Sequence, residues 1–193
     1  MFQSEPLVNT PWLTIMGNHD HYGNASAQVA YTDKYKRWIM PSFNYTVNIK
    51  RSDSDNSTFI RMLMIDTVSM CGNTGFDSEV FRKPKFSSTR DRLASREYFE
   101  SIEDELEKLK YEYVPYVIIN GHFPIWSIAE HGPTQCLVNR LRPLLYKYNV
   151  TAYFCGHDHS LQHLTETSLG QTVEYFVIGA SNFVQNSTAH KDA

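Results

Sequence analysis

The chain has 193 residues, 41% apolar and 13% aromatic, with 18 basic against 21 acidic side chains and a formal net charge of −3. That is apolar material enough for one sizeable core and excludes a globally disordered chain, while the near balance of charge provides no drive toward nucleic acid or anionic lipid. No apolar run approaches the length that crosses a bilayer, so no membrane span is expected and the chemistry must be local.

The opening "MFQSEPLVNTP" lacks the basic start and apolar middle of a signal peptide, which taken alone reads as cytoplasmic. Five NX[ST] sequons, at Asn24, Asn44, Asn56, Asn149 and Asn186, argue the other way. Chance supplies roughly one in such a length, so the excess favours a secretory history and a missing beginning.

Five short runs rich in β-branched and aromatic residues end at turn signals: "PWLTIM" before Gly17, "FIRMLMID" before Thr67, "YVIIN" before Gly121, "TAYFC" before Gly156 and "EYFVIG" before Ala180. Each reads as a strand in the interior of a sheet. "KRSDSDNST" (50–58) is a polar, hairpin-like loop joining two strands. The stretch from Cys71 to Asp91 shows no periodicity and reads as an exposed, mobile loop. Its Arg82, Lys83, Lys85 and Arg90, with Arg92 just beyond, are better explained as a solvated basic face than as substrate-steering charge.

Two helices are expected. In "REYFESIEDELEKLK" the apolar positions Phe99, Ile102, Leu106 and Leu109 recur at helical spacing, and in "CLVNRLRPLLYKY" Leu137, Leu141, Leu145 and Tyr148 do the same. Pro143 predicts a kink or a late start in the second. Strands alternating with helices imply an α/β sheet in a single domain, 1–193. Of the three cysteines, Cys155 lies inside an apolar run and reads as a buried free thiol, whereas Cys71 and Cys136 flank loops and could pair in an oxidising compartment.

Three strand ends run into glycine and histidine: "MGNHDH", "NGHFP" and "CGHDH". Ligands collect beyond the carboxyl ends of strands in open α/β sheets, so these loops should converge. Neutral imidazole suits zinc and iron, and an asparagine oxygen suits a hard divalent cation. A lone histidine is most often only a hydrogen-bonded core or surface residue, but three strand ends with the same chemistry are not explained that way. No GxSxG elbow supports a serine nucleophile, so metal-assisted hydrolysis is the favoured chemistry.

"GNHDHYGNASAQVAY", "GHFPIWSIAEHGPTQCLVNRLRPLL" and "VTAYFCGHDHSLQHL" together resemble the mammalian-type purple, or tartrate-resistant, acid phosphatases, a branch of the calcineurin-like metallophosphoesterases. The likeness runs in order from about Trp12 to Phe183, and "AEHGPT" followed by "GHDH" makes it specific to this branch. It implies part of an α/β/β/α sandwich and a dinuclear site in which a metal-bound hydroxide attacks a phosphate monoester, either a small molecule or a phosphoprotein. The metals implied are a ferric iron and a divalent iron or zinc, bridged by an aspartate.

By the same resemblance Asn18, His122 and His157 hold the divalent ion and His159 the ferric ion, while His19 and His131 bind the phosphate and protonate the leaving alcohol. Asp20 and Asp158 read as residues that orient the ligands or shape the loops, with a solvated surface role as the alternative. Cys71 and Cys136 fall where the family has a disulfide, and Asn24 falls on a family glycosylation site, which implies a secreted or lysosomal protein. The 72–91 loop corresponds to a lid that proteases nick to raise activity.

The family pattern also contains an N-terminal strand ending in an aspartate ligand, a GDNFY-like loop carrying the bridging aspartate and a tyrosine, and strands beyond "GASNF". None of these is present, so the expected fold is a sandwich without its first and last strands, with an incomplete ferric site and low solubility when expressed alone. Two readings remain: an acid phosphatase seen in part, or a catalytically inactive secreted glycoprotein that binds at most one metal. A phosphodiesterase is disfavoured by "AEHGPT".

Overall fold

The fold is built from a computed structural model that describes residues 7–52, 54–72, 89–181 and 183–192, residues 89–92 by backbone alone. Its centre is a six-stranded sheet in the order β3-β4-β5-β6-β8-β7. The strands are β3 (Tyr45–Ser52), β4 (Asp55–Met64), β5 (Tyr116–Asn120), β6 (Ala152–Cys155), β7 (Leu161–Ser168) and β8 (Gln171–Ile178). The four inner strands run parallel, and β3 and β7 close the edges antiparallel.

Alternation at a period of two decides which side chains share a face. Ile119, Tyr153 and Tyr175 stand in register on one face and are buried. They pack with Phe99, Ile102 and Leu106 of α3 (Thr89–Glu107), Leu137 of α4 (Gln135–Arg140) and Leu145 of α5 (Arg142–Lys147) in one core. The other face carries Asn120, Phe154, Phe176 and His163 in register, with Phe154 and Phe176 half-buried. Phe154 and Phe176 stack with ring centres 4.7 Å apart, and His163 lies on Phe176 at 4.5 Å.

"PWLTIM" departs from expectation. Only β1 (Trp12–Leu13) forms, and it pairs parallel with β2 (Trp38–Ile39), outside the six-stranded sheet. Its partner stops just before Met40-Pro41, and proline has no N–H to extend a ladder. The polar 50–58 segment is shorter as a loop than expected, since β3 runs to Ser52 and β4 starts at Asp55. Pro143 divides the second helix as its ring demands: α4 ends before Leu141 and α5 restarts with the proline in its first turn.

Strand β7 was not foreseen, because its half-buried positions, Gln162, Leu164, Glu166 and Ser168, are mostly polar and show no apolar alternation. The turn to β8 uses Leu169 and Gly170, both at positive φ, the geometry of a tight two-residue hairpin. Residues 73–88 of the expected mobile loop, with Arg82, Lys83 and Lys85, lie outside the described residues. From Thr89 the backbone is helical, so Arg90 and Asp91 belong to α3 rather than to the loop. Among the described residues no helix is long and apolar enough to cross a membrane.

Candidate metal centre

The loops after β5 and β6 are zipped together at their first turn. Gly121 N donates to Phe154 O at 3.0 Å and Gly156 N donates to His122 O at 3.1 Å. Gly121 has no room for a side chain, since a Cβ there would stand 2.4 Å from the Tyr153 hydroxyl and 2.6 Å from Thr67 Cγ2. His157 follows at φ +65°, a left-handed backbone that costs a non-glycine residue on the order of 1–3 kcal/mol and is characteristic of functional sites.

The turn brings three donor atoms together. His122 Nε2 lies 2.8 Å from Asn18 Oδ1 and 3.2 Å from His157 Nδ1. Atoms bound to one zinc-like ion at about 2.0–2.1 Å stand about 3–3.5 Å apart, so this set fits a single divalent cation with little movement. Asn18 is buried, and the edge of the His122 ring lies 3.0 Å from where a Cβ on Gly17 would sit, so the GNH loop is pressed against the imidazole.

Burial determines the protonation of the two imidazoles. Desolvation pushes His122 down to about 4, with nearby His19 adding to it, and pushes His157 well below the ordinary histidine value, reinforced by His122. Both are therefore neutral and able to ligate in mildly acidic solution.

The other expected residues divide. His131 packs its ring on His157 with centres 4.3 Å apart, so the proposed proton donor borders the donor set. Its backbone N donates to Asp158 Oδ1 at 3.0 Å. Asp158 is fully buried with Oδ2 left without a partner, which rules out the surface alternative for this residue. Asp20 Oδ2 accepts from Gly17 N at 2.8 Å and its other oxygen accepts from Gln28, so it shapes the GNH loop. His19 is exposed beside Tyr22, ring centres 5.2 Å apart.

His159 does not join the set. Its ring lies against Phe183 with centres 4.1 Å apart, and its buried Nδ1 has no hydrogen-bond partner. Among the described residues no three or more His, Cys, Asp or Glu side chains are placed to share an ion. Among the described residues, the donors that meet thus fit one cation held by two imidazoles and an amide, with His159 outside the set.

Sequence reasoning placed the strand that ends at Asp66 but missed the part its end plays at the site. β4 leads to Asp66, fully buried, which caps α2 (Thr67–Cys71) by accepting from Val68 N at 3.0 Å and Ser69 N at 3.2 Å. His21 Nε2 stands 3.0 Å from Asp66 Oδ2, an ion pair when the imidazole is protonated. Its contact with Asp66 raises the His21 pKa against the opposing effect of burial. The signal was available: a carboxylate ends a buried strand and precedes a threonine, an N-cap pattern.

The calcineurin-like phosphoesterase family profile matches residues 2–161. The chain belongs to this family. Within it the chain is similar to tartrate-resistant acid phosphatase type 5 of Rattus norvegicus, 44% identical over 99% of this chain and 55% of the relative, and of Homo sapiens, 42% identical over the same shares. Purple acid phosphatase 7 of Arabidopsis thaliana is 29% identical over 83% of this chain and 46% of its own. This calcineurin-like chain therefore spans about half the length of the acid phosphatases it matches. Among solved structures, GAP50, the anchor in the inner membrane complex of Plasmodium, superposes with a TM-score of 0.67 at 18% identity, over 93% of this chain and 53% of that one. The purple acid phosphatase from yellow lupin (Lupinus luteus) seeds gives 0.53 at 17%, over 91% and 30%. At such identities the likeness is one of fold.

In this member of the family Cys71 and Cys136 form a disulfide, Cα atoms 5.7 Å apart, while Cys155 is a buried free thiol. Asn24, Asn56, Asn149 and Asn186 are exposed; Asn44 is half-buried, and its Oδ1 accepts from Asp66 N at 2.8 Å.

Proposed function

We propose that these 193 residues form one incomplete calcineurin-like domain carrying the divalent-metal half of an acid phosphatase for phosphate monoesters. Asn18, His122 and His157 would hold the cation, and His19 and His131 would face the phosphate. A bound divalent ion neutralises phosphate charge and activates water. The chain's own residues do the rest: burial keeps His122 and His157 unprotonated in acid, Asp158 anchors the His131 loop through its backbone N, and Asp20 holds the turn that presents Asn18. The observation that carries this reading is the meeting of Asn18 Oδ1, His122 Nε2 and His157 Nδ1 at 2.8 and 3.2 Å.

The finer assignments are part of the same proposal: zinc or ferrous iron at this site, with His159 left for a ferric partner, glycans on the exposed sequons, a disulfide suited to a secreted or lysosomal compartment, and a protease-sensitive lid over 72–91. A second reading, a non-catalytic glycoprotein that binds one metal, is favoured by the separation of His159 from the donor set. Titrating the chain with Zn2+ while assaying p-nitrophenyl phosphate at pH 5 tests both. The first reading expects one equivalent bound, lost in His122→Ala, and hydrolysis above the His131→Ala background. One equivalent without hydrolysis leaves the second reading standing, and no binding overturns both.

A further inference from the structure

Four strand ends reach the site, but only three carry the histidines that the proposed function uses. The fourth, at Asp66-Thr67, is tied to two of the others, and to the segment that carries His131, by contacts that involve no metal-binding atom. Asp66 Oδ2 meets His21 Nε2 at 3.0 Å, which reaches the turn bearing Asn18 and His19. Thr67 Oγ1 accepts from His122 N at 3.2 Å and from Phe123 N at 3.0 Å, which fixes the backbone beneath the central imidazole. Cys71, at the far end of the same five-residue helix, is bonded to Cys136, five residues beyond His131.

Both polar side chains are fully buried. A buried carboxylate is costly unless it is fully engaged, and Asp66 is engaged: its oxygens accept from Val68 N, from Ser69 N and, at 2.5 Å, from Ser69 Oγ, besides meeting His21. A threonine hydroxyl accepting two backbone N–H groups of a neighbouring loop replaces ladder bonds that β4 and β5 stop supplying after Ile65 N pairs with Asn120 O at 2.9 Å. The helix is too short to stand on its own propensity, so these contacts hold its position and, reciprocally, that of the loops.

We propose that Asp66 and Thr67 are positioning residues that set the distance between Asn18 and His122: Asp66 holds the GNH loop through His21, and Thr67 holds the GHF loop through the His122 and Phe123 amides. The strut acts on the metal centre proposed above and rests on that reading only for its effect on metal affinity. Its mechanical part exists in the metal-free chain.

Asp66→Asn separates the roles, because asparagine caps a helix as well as aspartate but has no charge for His21. Thr67→Val keeps the shape and removes the acceptor, and Thr67→Ser restores it. Amide hydrogen exchange is measured on the full metal-free chain, then Co2+ affinity from its visible absorption. Asp66→Asn is expected to speed exchange over residues 17–22 at least tenfold while α2 itself stays protected. Thr67→Val is expected to do the same at His122 and Phe123, with Thr67→Ser within twofold of the parent and the β7–β8 hairpin unchanged in all three. Co2+ affinity should fall at least tenfold in Asp66→Asn and Thr67→Val and recover in Thr67→Ser. Exchange that rises uniformly across the sheet, or rises only within α2, overturns the strut, as does unchanged exchange in both loops. Segment-specific exchange in a parent that binds no Co2+ upholds the strut and removes the metal reading instead.

Discussion

At the scale of single residues, the site is governed by what burial does to imidazole. His122 is held near 4 against an ordinary 6.5, so between those values the unfolded chain binds a proton that the folded chain does not. Its contribution to stability is complete above about 6.5 and is lost as pH falls toward 4, on the order of 3 kcal/mol. His157 adds in the same direction. His21 works oppositely: its raised value makes its contribution complete below 6.5 and lost as pH rises through the folded pKa. We expect the urea midpoint of the metal-free chain to drop between pH 6.5 and 4, and His122→Gln to flatten that limb; a midpoint level across the range would contradict the burial argument.

Backbone contact separates two glycines of the same loop system. A Cβ on Gly179 would lie 1.9 Å from the Asp158 carbonyl oxygen, and backbone cannot swing aside. A Cβ on Gly156 meets nothing nearer than His122 Nδ1 at 3.8 Å. Gly179→Ala should therefore cost about 3 kcal/mol or prevent folding, while Gly156→Ala should stay within about 1 kcal/mol. Chemical unfolding of the two variants side by side checks the contrast.

At the scale of elements, the short helices matter as joints more than as helices. The Cys71–Cys136 disulfide closes a separation of 65 residues and joins α2 to α4. Closing a loop of that length in the unfolded chain is worth about 4 kcal/mol. The Cys71→Ser/Cys136→Ser double variant should lose about that much in urea unfolding, and a reductant should give the parent the same loss. An unchanged midpoint would mean that the bond adds nothing to the packing of Met70, Cys71 and Leu137, all fully buried.

At the scale of the whole molecule, one face of the sheet packs on helices, while on the other the Tyr45 hydroxyl ties the β1–β2 segment to the β3 end and the rings of β6 and β8 stay partly exposed. Phe154 and Phe176 are half-buried on that second face, and at its end Leu161 and Ile178 are 73% and 55% exposed. Apolar surface of this kind on a soluble chain is normally covered, and the edge strands β3 and β7 also leave backbone groups unpaired along one side. Expressed alone, the chain is expected to bind 8-anilinonaphthalene-1-sulfonate and to self-associate, and a Phe154→Thr/Phe176→Thr variant to do both less. Light scattering behind size exclusion, showing a parent that is monodisperse and silent to the dye, would refute this.

The sequence by itself determined the strands "FIRMLMID", "YVIIN", "TAYFC" and "EYFVIG", the amphipathic helix over 96–110 and the chemistry of the three histidine loops, because these are local: short apolar runs closed by turn signals, period-3.6 runs and turn residues directly before ligand-type side chains. It carried the break at Pro143 for the same reason, since a proline acts on its own turn. Only the tertiary structure decided that "PWLTIM" stands outside the main sheet, that "LQHLTETS" is a strand, and that Asp66 and Thr67 serve the site. Each depends on a partner distant in sequence: the length of β2, the ladder of β8, the amides of His122 and Phe123. The separation of His159 from His122 and His157 is likewise a matter of packing against Phe183, which no spacing within "GHDH" encodes. Pattern names the side chains able to bind a metal, and long-range contacts determine which of them meet.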